Sequence, residues 1–124
     1  MNATEAQIAE RLPVWEALSE FFLDTELQPS DHERIAKTLA TSPYTEEEIE
    51  DILLGEVCPV CRVNALSAAG EWVSFDRDWL KEKIGDRLGK HPLFRSFFAL
   101  RHRWMYNRDW SMVKPRIAEI RAMS

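Results

Sequence analysis

Two thiols three residues apart, in Cys58-Pro59-Val60-Cys61, have the spacing of a thiol–disulfide exchange site. That chemistry needs one sulfur as a thiolate, which a strand-to-helix junction supplies by aiming a helix N-terminus at it. Here a helical pattern precedes the pair, and no βαβ pattern follows. The same spacing on a helix turns two small, weakly polar side chains into a core. A structural zinc site wants four ligands, and the other candidates, His32, His91 and His102, stand at no metal-site spacing. No metal and no other cofactor is expected.

Carboxylates form a second cluster: Glu46, Glu47, Glu48, Glu50 and Asp51. Acid–base catalysis needs two carboxyls in a cleft with their pKa values pushed apart, and nothing in the pattern indicates a cleft. The run reads either as a solvated helix start or as a docking face for a basic protein, such as a toxin-like nuclease. Glu46, Glu47, Glu50 and Asp51 are the contact candidates.

Arg95 to Arg108 interleaves cations and rings: Phe97, Phe98, Arg101, His102, Arg103, Trp104, Tyr106. Single-stranded nucleic acid is bound by such combinations, with Arg95, Arg101, Arg103 and Arg108 on phosphates. At helical spacing, however, Leu93, Phe97, Leu100 and Trp104 form one buried stripe, and an overall pI near 5.2 is far from that of a dedicated binder. Gly70-Glu71-Trp72, Phe75-Asp76 and Trp79 surround a turn. Its rings either pin the loop to the core or, if exposed, form a hot-spot patch with Glu71, Trp72 and Asp78 as contacts. No nucleophile elbow and no phosphate-cradling glycine loop occurs in the chain, so an enzyme is not expected.

The elements that carry these residues are helical. In 124 residues, 45% hydrophobic and 30% charged, thirteen aromatic side chains can fill one core, so residues 1–124 are expected to form a single all-α domain, a compact bundle of five to seven short helices. Ile8, Leu12, Trp15, Leu18 and Phe22 make an apolar stripe over 5–23, with Pro13 either kinking the helix or opening it. Ser30 with Glu33 and Thr45 with Glu48 have capping-box spacing. Gly55 is expected to end the helix that Thr45 begins, and a short helix to follow over 56–66. Asp76 caps a helix bearing Trp79, Leu80, Ile84 and Leu88, broken at Gly89-Lys90-His91-Pro92. A last helix is expected near Ser111–Met123. The only alternating patch is Trp72-Val73-Ser74-Phe75.

The net charge of −5 is unevenly spread: residues 1–60 hold three basic and fourteen acidic residues, residues 61–124 thirteen basic and seven acidic. Either the halves attract each other within one fold, or they leave a dipolar surface that steers a charged partner. No apolar run approaches the ~20 residues of a membrane span. Met1–Arg11 lacks the basic start and apolar block of a signal peptide, so a cytoplasmic protein is expected.

Phe22-Leu23-Asp24-Thr25-Glu26-Leu27, Glu56-Val57-Cys58-Pro59-Val60, Asn64, Gly70-Glu71-Trp72 and Phe75-Asp76 with Asp78-Trp79-Leu80 resemble a family of short bacterial single-domain proteins without an assigned activity. The resemblance implies a bacterial origin and carries no catalytic residues. The expected function is a non-catalytic protein-binding module, an immunity or adaptor protein that occludes a partner. Nucleic-acid binding through 95–108 and Cys58/Cys61 redox chemistry are the alternatives.

Overall fold

In a computed structural model, which describes residues 5–23, 26–61, 76–90 and 103–124, the first apolar stripe folds as α1 (Glu5–Ser19), extended by a 3-10 turn over Glu20–Phe22. Pro13 neither ends nor opens α1. The helix runs through it, one hydrogen bond short because proline has no N–H. Val14, Trp15 and Leu18 are fully buried, and Phe21 and Phe22 nearly so.

Helix α2 (Pro29–Ala40) starts earlier than the Ser30/Glu33 pattern predicts. Pro29 takes the first helical position and forces the residue before it into extended backbone, φ −92° and ψ 166° at Gln28. Asp31 then reaches back, its Oδ2 accepting from Gln28 N at 2.8 Å. Glu33 is left for a different partner, described below.

The second predicted cap forms as read. Thr45 Oγ1 accepts from Glu48 N at 3.1 Å, and Glu48 Oε1 accepts from Thr45 N at 2.9 Å, opening α3 (Glu46–Ile52). Gly55 does not end this helix. It is buried within a π-helical turn, Leu53–Val57, where Cys58 N–H reaches back to the Leu53 carbonyl, and residues 58–61 remain helical. Pro59, four residues after Gly55, has no N–H to give to the Gly55 carbonyl.

Asp76 caps α4 (Arg77–Lys90), accepting from Trp79 N at 3.0 Å. Leu80 and Ile84 are fully buried, and the helix carries through Gly89 and Lys90, the first two residues of the predicted breaker, while His91 and Pro92 lie outside the described residues. A 3-10 turn, Arg103–Met105, leads into α5 (Asn107–Ala122), which begins four residues before the expected Ser111 and runs through Pro115. Trp104 is exposed, so the buried stripe predicted for 93–104 does not include it. The Trp72–Phe75 patch and the rest of that stripe lie outside the described residues.

Helix α2 packs chiefly on α5, while α1 lies against α2, α4 and the π turn. The fold is all-α, five α-helices and no strand among the described residues. No helix there is long and apolar enough to cross a membrane. Ion pairs tie the acidic first half to the basic second: Glu16–Arg77, Glu26–Arg108, Glu33–Arg116, Glu46–Arg121 and Glu50–Lys114. Much of the charge asymmetry is therefore consumed inside the fold.

Candidate functional site

The acidic run of α3 divides into two sets by helical position. Glu46 and Glu50, four apart, face α5. Glu50 Oε1 accepts from Trp110 Nε1 at 2.7 Å and pairs with Lys114 Nζ at 3.4 Å. Glu46 Oε2 accepts from Arg121 Nη1 at 3.1 Å. Both are contact candidates on sequence grounds, and both fasten α3 to α5. Glu47, Glu48 and Asp51 stay exposed on the outer side and form an acidic ridge. Beside the ridge an open groove of about 750 Å³ runs between Thr45, Glu46 and Glu47 on one wall and Ser111, Lys114, Pro115 and Ala118 on the other.

Arg121 holds this arrangement together, and nothing in the sequence pattern singled it out. Its guanidinium donates to the carbonyls of Leu39 (3.1 Å), Ala40 (3.2 Å), Ser42 (3.2 Å) and Tyr44 (2.6 Å) as well as to Glu46. Those carbonyls are the open C-terminal end of α2 and the turn into α3, acceptors that a helix terminus leaves without partners. A planar fork with five donors can serve them together.

A second cluster was also missed. Glu56, inside the π turn, accepts from Arg11 Nη1 at 2.6 Å and from Trp15 Nε1 at 2.9 Å. Burial pushes its carboxyl above the usual range, against the pull of Arg11 and Trp15. Arg11 stacks over the Tyr44 ring, 5.3 Å from its centroid, and Tyr44 donates to Glu10 Oε1 at 2.7 Å. Loss of solvent and that bond to Glu10 push the Tyr44 hydroxyl up to about 12. One signal was legible: Glu56 is a lone carboxylate among Leu53, Leu54 and Val57. The cluster joins α1 to the α3 extension.

Cys58 and Cys61 are fully buried and form no disulfide. Burial, and then the neighbouring Cys58, push the Cys61 thiol well above its ordinary value, which disfavours the thiolate that exchange chemistry requires. No group of His, Cys, Asp and Glu among the described residues is placed to hold a metal.

Of the other candidates, Asp78 is exposed in the first turn of α4, and Arg103 is exposed in the turn before α5. Arg108 pairs with Glu26 at 3.2 Å. Glu71, Trp72, Arg95 and Arg101 lie outside the described residues.

A protein-family model described as a domain of unknown function, DUF7079, matches residues 9–122. The chain belongs to this family. The family span opens within α1 and closes at the last residue of α5, so it contains Arg11, Glu56, the α3 ridge and Arg121. Its description names no activity. No curated protein and no solved structure matches the chain.

Proposed function

We propose that this chain is a non-catalytic protein-binding module of the bacterial cytoplasm, an immunity or adaptor protein whose contact surface is the acidic ridge of α3. One observation carries the reading: the acidic run is split, with Glu46 and Glu50 turned inward onto α5 and Glu47, Glu48 and Asp51 exposed side by side. A solvated helix start needs no such backing. A docking ridge benefits from it, because a rigid support lowers the ordering cost of binding. The groove between Glu47 and Pro115 offers apolar surface beside the charge. The partner this surface fits is a basic protein, brought in by its opposite charge.

Affinity capture from bacterial cells tests the reading. The wild-type chain is compared with Glu47→Lys/Asp51→Lys, a variant altered only at exposed positions. A protein retained by wild type, released by salt and absent from the variant supports the proposal. The same proteins on both chains, or none on wild type, contradict it.

A further inference from the structure

The outer face of α5 carries a second surface, and of its residues Pro115 also lines the groove beside the acidic ridge. Arg108, Met112, Pro115 and Glu119 follow one another at steps of four, three and four, so they line one stripe of the helix. The opposite side, Trp110, Val113 and Ile117, is buried against the bundle. Met112 is 57% exposed, and among the described residues the other large apolar side chains left exposed are Trp104 (66%) and Met123 (69%), just beyond either end of the helix.

The order of these residues has a symmetry. Arg108 and Glu119 lie equally far on either side of a point between residues 113 and 114, and so do Met112 and Pro115, and Trp104 and Met123. Each pair is complementary: cation with anion, apolar with apolar. A two-fold contact requires this relation, since residue i must face j while j faces i. Within one chain Arg108 and Glu119 are eleven residues apart, about 16 Å along the axis, and cannot pair with each other. We propose that a second copy of this chain packs antiparallel on the outer face of α5, about a two-fold axis between residues 113 and 114, with Arg108 of each copy against Glu119 of the other and Met112 against Pro115.

The charges hold exposed partners within the chain: Arg108 is 3.2 Å from Glu26, and Glu119 is 3.0 Å from Arg116. Such surface pairs are weak and exchange readily. A helix of 16 residues is about 24 Å long, so the contact falls below the ~800 Å² per partner of a standard interface. The dimer is accordingly weak and concentration-dependent.

Sedimentation equilibrium of the full chain tests this. Wild type is expected to pass from monomer to dimer between about 1 µM and 1 mM. Met112→Asp, at an exposed position, is expected to keep the circular dichroism and unfolding midpoint of wild type and to stay monomeric. Arg108→Glu and Glu119→Arg are each expected to raise the dissociation constant about tenfold. An equimolar mixture of those two variants restores both ion pairs and is expected to recover wild-type association. A wild type that is monomeric throughout, a dimer indifferent to Met112→Asp, or a mixture no tighter than the single variants overturns the proposal.

Discussion

Arg11 and Glu56 meet at 2.6 Å, an α1 guanidinium bonded to a carboxylate inside the π turn that continues α3. The pair sits beside Trp15, whose ring N–H takes the other carboxylate oxygen. Glu56→Ala strands both donors in a half-buried site and is expected to cost about 2–3 kcal/mol in denaturant unfolding. Glu56→Gln keeps an acceptor for Trp15 and is expected to cost less. Equal losses from the two variants would show that the charge, which both remove, carries the whole contribution.

The same residue gives a pH signature. Burial raises its folded pKa above the ordinary 4.5, so the protonated form is the one the folded state favours. Its contribution to stability is full below about pH 4.5 and declines as the pH rises through the raised value. Relative to wild type, Glu56→Gln is therefore expected to gain stability between mildly acidic and neutral pH, measured by urea unfolding at a series of pH values. A difference between the two proteins that does not change with pH contradicts this.

Arg121 closes the C-terminal end of α2 through four carbonyls and one carboxylate. Arg121→Ala is expected to destabilise the fold by about 2–3 kcal/mol, because several half-buried acceptors lose their donor. Arg121→Lys restores the charge but not the fork, and its midpoint is expected to fall between wild type and alanine. A lysine variant as stable as wild type would reduce the role of Arg121 to its charge.

Cys58 and Cys61 are fully buried, and burial holds the Cys61 thiol protonated at neutral pH. Both are expected to be inert to a thiol reagent in the native protein and to react together once it unfolds. Rapid labelling of either thiol in the folded chain would reopen the redox alternative.

The helices were legible where a local rule acts alone. Thr45 and Glu48 make their box, and Asp76 makes its cap. Local pattern is a poorer guide where two local rules compete. Ser30 and Glu33 have box spacing, but Pro29 fixes the helix start and leaves Asp31 as the residue that reaches back. Gly55 has the look of a terminator, but Pro59 four residues later is accommodated by a π turn and the helix continues. The site was half legible. The acidic run stood out, but its split into inward Glu46 and Glu50 and outward Glu47 and Asp51 depends on where Trp110, Lys114 and Arg121 arrive from α5, a long-range placement that no local pattern states.

The most direct test of the α3 ridge is the affinity of the captured partner for wild type and for Glu47→Lys/Asp51→Lys at low and high salt. Binding to the ridge predicts that wild-type affinity falls at least about tenfold between ~50 and ~500 mM salt, because exposed charges are screened over that range. The variant is expected to bind at the weaker, high-salt level under both conditions. Equal affinity of the two proteins at low salt would contradict the ridge as the contact surface.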